Sequence, residues 1–227
     1  MSLRKIEFAP YEFYHVYNRG ADKRPIFQDT ADNQRFVELL YISNGVKKVM
    51  LGNLRKVSKT IFDADRGDPL VAIGAYCLMP NHFHILLAPV ADDGVTRFMQ
   101  KLCTGYSMYF NKRYERTGTL FEGKFKAQWA SEDRYLKYLY SYIHLNPLKL
   151  HVQDSGEGVR TKSTLEYLCE YPFSSLPDYL GVDRAQTPIL NPEFFPEYFQ
   201  TSAEHINELT EWLGYKSEQT EEVKEYR

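Results

Sequence analysis

Two histidines in a strand-like segment are the first residues with the means to do chemistry. They form His82-Phe83-His84 at the start of an apolar run. Because successive side chains of a β-strand point to opposite faces, both imidazoles would lie on one face, about 6 to 7 Å apart along the strand. Two such imidazoles can bind one metal ion. A bare pair of this kind also occurs as two solvent-facing histidines on a half-buried strand, so the rest of the sequence has to decide.

A helix-like segment that ends near Pro147 supplies further polar groups. Tyr142 and Asn146 are four residues apart and share one helix face, whereas His144 lies about 200° around the helix from Tyr142. Because Asn146 precedes a proline, we expect it in the last turn of the helix, where its amide oxygen can project as a third metal ligand. His144 is interpreted as a packing or DNA-contact residue.

The phenol of Tyr142 is a candidate nucleophile. A phenol with a pKa of about 10 attacks phosphorus poorly at neutral pH, and a divalent ion that polarises the phosphate oxygens would assist the attack. Tyr138 lies one turn earlier on the same face, so periodicity alone leaves the choice between Tyr138 and Tyr142 open. In a chain with 18 tyrosines, core packing is the ordinary role of any one of them.

The elements that must position these groups follow from hydrophobic periodicity and turn residues. The order of these elements is the ferredoxin-like split βαβ plan with one additional helix. The predicted fold class is therefore α+β, an antiparallel sheet backed by helices, with the tyrosine on the C-terminal helix of the domain. The predicted elements are a strand at 12–19, a helix to about 43 that Thr30 or Asp32 caps, strands at 71–79 and 82–89 joined by Pro80-Asn81, a helix from 94 to about 114, a strand at about 125–130, and a helix that Ser131 caps.

Charge divides the chain into parts. Residues 1–96 carry 12 basic and 11 acidic residues, residues 97–150 carry 10 and 4, and residues 151–227 carry 6 and 15. We predict a catalytic domain over 8–150 with a polar insertion at about 44–68, followed by an irregular acidic C-terminal extension over 151–227. The basic middle part can bind phosphates, although the same charges are typical of a solvated helix face.

The composition indicates a globular protein. Of the 227 residues, 43% are hydrophobic, and no stretch approaches the roughly 18 consecutive apolar residues of a membrane helix. Three widely spaced cysteines suggest neither a disulfide framework nor a zinc site. We expect a cytoplasmic, nucleoid-associated protein with no membrane partner.

Five motifs follow one another along the chain. They are Tyr14 to Gly20, Met79 to Leu86, Gly118 to Phe125, Tyr142 to Pro147 and Tyr171 to Ser175. Together they resemble the HUH single-tyrosine transposases, in particular the branch of REP-associated tyrosine transposases and IS200-like transposases. The resemblance covers roughly residues 11 to 181, and the ordered motifs are much more specific than the histidine pair alone. The polar insertion and the acidic extension depart from the compact pattern of the family.

The resemblance implies the roles of the site residues and their partners. It implies His82 and His84 as metal ligands, with Asn146 as the third ligand and Tyr142 as the nucleophile. It also implies a homodimer, a hairpin-bearing single-stranded DNA substrate, and Mg²⁺ or Mn²⁺ as the cofactor. Imidazole suits later metals than Mg²⁺, so such a site should hold Mn²⁺ better. The candidate DNA-binding residues are Asn18, Arg19, Arg97, Lys101, Arg113, Lys124, Lys126 and Arg134.

The sequence therefore predicts a metal-dependent transposase-type DNA endonuclease and strand transferase. It would cleave single-stranded DNA through a covalent 5′-phosphotyrosine and rejoin strands without a nucleotide cofactor. Two alternatives stay open. One is a domesticated regulator that binds hairpin nucleic acid without mobilising it, and the other is a two-histidine metallohydrolase that uses water and leaves no adduct.

Overall fold

A four-stranded antiparallel sheet forms the centre of the protein. The computed structural model describes residues 7–49, 60–155 and 161–225. The strands are β1 (Tyr14–Arg19), β2 (Val71–Met79), β3 (His82–Pro89) and β4 (Lys126–Trp129), in the spatial order β2-β3-β1-β4. The hairpin of β2 and β3 has the predicted bounds, and the other two strands lie inside their predicted segments.

Alternation along β1 separates the two faces of the sheet. Tyr14 and Val16 join a core that is covered by α1 (Thr30–Ser43) and α2 (Gly94–Arg113). The opposite face is covered by α3 (Asp133–His144), which buries leucine, isoleucine and tyrosine side chains against small residues of β2. His15, between Tyr14 and Val16 in the strand, therefore belongs to the α3 face. The predicted α+β class is confirmed.

The buried carboxylate of Asp32 joins α1 to α2. It is fully buried and accepts hydrogen bonds from Arg113, Tyr109 and Tyr114. Asp29 caps α1 by accepting from the backbone N–H of Asp32, so the prediction of Thr30 or Asp32 as the cap is wrong by one or three residues. The cap lies earlier because the carboxylate of Asp32 is used inside the core.

The C-terminal extension is more helical than the sequence predicts. Its helices are α4 (Leu148–Ser155), which begins just before the predicted boundary, α5 (Thr161–Glu170), α6 (Leu176–Tyr179) and α7 (Ser202–Glu225), and two short 3-10 helices (Thr187–Ile189 and Pro192–Phe194) lie between α6 and α7. Leucines of α5, α6 and α7 form a separate small core with Leu145 and Leu148. The prediction of an irregular extension was wrong because these leucines recur at helical spacing within an acidic and polar background.

The extension is joined to the sheet by backbone hydrogen bonds. The N–H of Leu78 donates to the carbonyl of Phe173, and the N–H of Ser175 donates to that of Tyr76. These bonds cover the β2 edge of the sheet, whereas β4 lies at the other edge. The extension is therefore part of the scaffold that positions α3.

The predicted polar insertion is described only in part. Residues 50–59 lie outside the described residues, and Asn44 fixes the start of β2 by accepting from the N–H groups of Leu70 and Val71. Among the helices that the structure describes, none has the length and apolar character needed to cross a membrane.

Candidate functional site

The turn between β2 and β3 places both histidines of the predicted pair on the α3 face. His82 lies opposite Arg19 and His84 lies opposite Tyr17 in the pairing of β3 with β1. The two imidazole centroids are 5.0 Å apart. Phe83 between them is fully buried in the core of the other face. The predicted alternation is thus confirmed, and it holds the two imidazoles side by side.

Each imidazole is oriented through its Nδ1 atom. The Nδ1 of His82 is 2.7 Å from Oδ1 of Asn81, and the Nδ1 of His84 is 2.8 Å from Nε2 of His15. An amide oxygen only accepts, so Nδ1 of His82 carries the proton and its Nε2 has a free lone pair. Nδ1 is thus engaged in both rings, and Nε2 is the remaining nitrogen atom of each.

Tyr142 of α3 lies against the histidines of its own chain. Its ring centroid is 5.5 Å from that of His84 and 5.6 Å from that of His15, both in edge-to-face geometry. Tyr138, one turn earlier, instead contacts Tyr142 and Trp212. Of the two tyrosines that periodicity left open, Tyr142 is the one in ring contact with His84.

Asn146 lies beyond the end of the helix. The sequence predicts it in the last helical turn, but α3 ends at His144 and Asn146 occupies the turn before α4. Its Nδ2 donates to the backbone carbonyl of Tyr142 at 2.8 Å, which leaves Oδ1 as the atom able to bind a cation. The helix stops early because the residue before Pro147 avoids helical geometry.

His144 is a packing residue, one of the two predicted interpretations. It is fully buried, with Nδ1 3.1 Å from Nε2 of His205 and Nε2 2.8 Å from Oγ of Ser175. These contacts fix the back of α3 to the C-terminal extension. The other interpretation, a DNA contact, is excluded by this burial.

Burial determines the protonation of the site. It lowers the pKa of His15 to about 4 and that of His82 to about 4, with smaller lowering at His82 from the charges of Lys149 and Arg19. Burial also lowers the pKa of His84 well below its ordinary value. The imidazoles are therefore neutral at pH 7, the form that binds metals. Burial raises the pKa of the Tyr142 phenol, so Tyr142 is protonated in the protein alone.

A cleft of about 360 Å³ opens over His15, His84 and Tyr142. Besides His15, His84 and Tyr142, its lining includes Tyr17 and Gln128. Sequence reasoning missed His15 and Gln128 as site residues. The signal for His15 was its two-residue spacing from Tyr17 in β1, but the pairing that brings it beside His84 is not visible in the sequence.

A larger cavity of about 620 Å³ lies elsewhere, between α3 and the C-terminal extension. Its lining includes Tyr140, Phe195 and Glu193 and contains none of the predicted site residues. Choosing the candidate site by cavity volume alone would therefore select a cavity without the predicted site residues. The smaller cleft is the candidate site because it brings the imidazoles of His15 and His84 and the phenol of Tyr142 together.

Three predicted DNA-binding residues belong to α2, on the sheet face opposite the cleft. Arg97 is exposed, Lys101 donates to the carbonyl of Gly45, and Arg113 is paired with Asp29 and Asp32. A DNA strand held in the cleft does not reach α2 through the sheet. For Lys101 and Arg113 the observed contacts are structural, and DNA binding by all three stays a prediction.

The two predicted DNA-binding residues of β1 also make contacts within the protein. Asn18 is buried and donates to the carbonyl of Gly123, and Arg19 is paired with Glu122. Both contacts hold the loop before β4. Lys124, Lys126 and Arg134 are exposed, and Lys126 lies opposite Tyr17 on the cleft face of the sheet. Lys126 is therefore the predicted cation best placed for a strand in the cleft.

The donor set fits a divalent cation. The described residues contain no group of three histidine, cysteine or acidic side chains that could hold a metal. The available donors are instead Nε2 of His82, Nε2 of His84 and an amide oxygen, for which Asn146 is the predicted source. Two neutral nitrogens and one neutral oxygen would give weak, exchangeable binding, with Mn²⁺ favoured over Mg²⁺.

Comparison with known proteins adds three findings. The model of the family described as "Transposase IS200 like" matches residues 14–146, which include β1 to β4, α3 and all four groups of the candidate site. No curated protein shows significant similarity to the chain. A solved structure of a REP-associated tyrosine transposase bound to a REP hairpin is similar with a TM-score of 0.49 and 12% sequence identity, over 82% of this chain and 90% of that chain.

Proposed function

The chain belongs to the IS200-like transposase family, and on this premise we propose that it cleaves and rejoins single-stranded DNA through a covalent bond to Tyr142. The observation that carries the proposal is the contact of the Tyr142 ring with His84, within a cleft that His15, Tyr17 and Gln128 also line. A phenol beside two neutral imidazoles combines a nucleophile with a cation site. This combination is the one that an HUH single-tyrosine enzyme requires.

The reaction exchanges one phosphodiester bond for another. The phenol oxygen of Tyr142 attacks phosphorus, a bond forms between that oxygen and phosphorus, and the bond from phosphorus to the 3′-oxygen breaks. The proton of the phenol ends on the released 3′-hydroxyl, by way of solvent. Because no water is consumed, the 5′-phosphotyrosine keeps the bond energy, and a second 3′-hydroxyl can displace Tyr142 and join a new strand.

His82, His84 and Asn146 are proposed to hold a Mg²⁺ or Mn²⁺ ion. When bound, the ion supplies a positive charge that polarises the phosphate oxygens and stabilises the charge of the transition state. The protein contributes the arrangement: Asn81 and His15 orient the two imidazoles. Since burial raises the pKa of the Tyr142 phenol, the resting protein keeps its nucleophile protonated.

The substrate is proposed to be single-stranded DNA with a hairpin. Lys126 lies in the same cross-strand row as Tyr17 and His84, so its ammonium can bind a phosphate of a strand that crosses the sheet toward the cleft. Tyr17 offers an aromatic face on which a base can stack. Lys149, whose charge acts on both imidazoles, is a second cation for the backbone.

A homodimer is part of the proposal. Each chain carries one tyrosine in ring contact with His84, and joining two DNA ends at once requires two nucleophiles. The ring contact of Tyr142 with His84 lies within one chain, so each subunit can assemble its own site. The dimer would serve to hold the two DNA ends together.

The regulator that only binds hairpins remains the second candidate. It has no need for a phenol in contact with two oriented imidazoles, and the retention of this arrangement favours the enzyme. The metallohydrolase would need the cation donors but not Tyr142. The three candidates therefore differ in what happens to a labelled strand.

One assay separates them. The full chain is incubated with hairpin-bearing single-stranded DNA labelled at its 3′ end, in Mg²⁺ or Mn²⁺, and analysed under denaturing conditions. The enzyme gives a protein-linked label that Tyr142→Phe abolishes and that the matched control Tyr138→Phe retains. Shortened DNA without a protein-linked label indicates the hydrolase. Binding without cleavage indicates the regulator and contradicts the proposal.

A further inference from the structure

A third histidine, His15, lies in the site beside His84, although neither the His82-Phe83-His84 motif nor the helix pattern singled it out. We propose that His15 is a positioning residue: it accepts a hydrogen bond from Nδ1 of His84 and thereby holds the Nε2 of His84 unprotonated and directed at a divalent cation. The inference rests on the proposed function, because it takes His84 to be a cation ligand. It adds a residue to the site and assigns the tautomer of the ligand.

The strand pairing sets the geometry. In the register of β1 with β3, His84 lies opposite Tyr17, and His15 is two residues away on the same face. The imidazole of His15 extends along the strands to reach His84, so that Nε2 of His15 is 2.8 Å from Nδ1 of His84. The rings are nearly parallel, with an interplanar angle of 27° and centroids 5.0 Å apart. The separation of 2.8 Å between the two nitrogen atoms is that of a well-formed hydrogen bond.

Burial makes this bond consequential. His15 is 5% exposed and His84 is 6% exposed, so water does not replace a lost partner easily. A buried N–H without an acceptor costs about 1 to 3 kcal/mol in general. His84 without its partner would be driven to rotate its ring or to move its proton to Nε2, and either change removes the lone pair from the cation.

Tyr142 provides a second link between His15 and the chemistry. Its ring makes edge contacts with both imidazoles at almost equal centroid distances, 5.6 Å to His15 and 5.5 Å to His84. The phenol ring of Tyr142 therefore packs against both imidazoles together. A change at His15 therefore alters the position of His84 and that of Tyr142 together, whereas the side chain of Asn81 contacts His82 and the carbonyl of Lys23.

The test measures cation binding directly. Mn²⁺ is titrated into the full chain, and binding is followed by calorimetry and by the electron paramagnetic resonance signal of free Mn²⁺. We expect His15→Leu to weaken Mn²⁺ binding about 10- to 100-fold, the usual effect of removing a hydrogen-bond partner of a metal-bound histidine. His15→Gln, whose amide oxygen can accept the same bond, should restore affinity to within roughly threefold of the wild type.

A matched control separates positioning from general loss of structure. Val16→Ala lies next to His15 on the same strand, but its side chain faces the opposite core. It should lower stability and leave Mn²⁺ affinity unchanged. Equal weakening by Val16→Ala and His15→Leu, or unchanged affinity in folded His15→Leu, would overturn the inference.

A second measurement uses the wild-type protein alone, without any variant and without a cation. Long-range ¹⁵N–¹H correlation spectra of the wild-type protein report the tautomer of each histidine. The inference requires the proton of His84 on Nδ1, and a proton on Nε2 contradicts it. Because the tautomer of His84 is measured without metal or DNA, the result tests the positioning role of His15 independently of the covalent-adduct assay. A missing adduct with the Nδ1 tautomer present would count against the proposed activity and not against the positioning role.

Discussion

His144 of α3 and His205 of α7 are buried against each other, and their burial implies that the protein loses stability in mild acid. His205 is 1% exposed, its Nε2 is 3.1 Å from Nδ1 of His144, and its Nδ1 is buried without a partner among the described residues. Burial lowers the pKa of His205 from 6.5 to about 4, against a smaller raising effect of Glu208. Tyr179 and Phe199 form aromatic walls around the ring. The native form is therefore the neutral ring.

The sign and size follow from the proton balance. Below the unfolded pKa of 6.5 the unfolded chain binds a proton at His205 that the folded chain excludes until about pH 4. The contribution of His205 is thus complete above pH 6.5 and is lost as the pH falls toward 4, by about 1.4 kcal/mol per pH unit and about 3 kcal/mol in total. Burial likewise lowers the pKa of His144, which adds to the loss in the same direction.

Denaturant unfolding of the full chain at about pH 7, 6 and 5 measures this loss. His205→Leu keeps the apolar surroundings and removes the titrating group, so below pH 6.5 the fall in the free energy of unfolding should become shallower, by up to about 1.4 kcal/mol per pH unit. Tyr179→Phe touches the same ring without titrating in acid, and it should keep the wild-type pH dependence. The same slope in His205→Leu and the wild type would refute the reasoning.

Two further predictions concern the cation and the DNA. Asn146→Ala should weaken Mn²⁺ binding about tenfold in calorimetry, whereas Gln128→Ala should not, because the proposal takes its third donor from Asn146; the opposite ranking would move the oxygen donor to β4. Lys126→Ala should reduce the slope of log affinity against log salt for single-stranded DNA by about 0.7, the value of one phosphate contact. Arg113→Ala should instead lower the melting temperature and leave that slope unchanged, since Arg113 is paired with carboxylates; a reduced slope would show that α2 contacts DNA after all.

The sheet and the histidine pair were predictable because their signals are local. Two apolar runs around Pro80-Asn81 specify a hairpin, and the two-residue period of a strand fixes His82 and His84 on one face. The same holds for Tyr142 and His144, whose angular separation around α3 puts one side chain in the cleft and the other in the C-terminal core. These features depend on spacing along one segment, and the structure agrees with them.

The contacts that the sequence did not predict join segments far apart in the chain. His15 and His84 are 69 residues apart, and only the order of the strands in the sheet makes them neighbours. Asp29 caps α1, whereas Asp32, one of the two expected caps, is bonded to side chains more than 75 positions later in the chain. Side chains that look like surface charges or caps in the sequence thus take structural roles that depend on pairing, which composition and periodicity do not encode.

The position of the candidate nucleophile is determined from both sides of α3. On the front, Tyr142 rests against His15 and His84, and on the back, His144 is bonded to Ser175 and His205 of the C-terminal extension. Ser175 is in turn bonded through its backbone to β2, the strand that leads into the histidine hairpin. The acidic extension therefore connects the helix of the nucleophile to the strands of the ligands by a second route. Since a displacement of about 1 Å of a reacting group can cost about a hundredfold in rate, loss of this back contact should reduce DNA cleavage even though the extension lies outside the cleft.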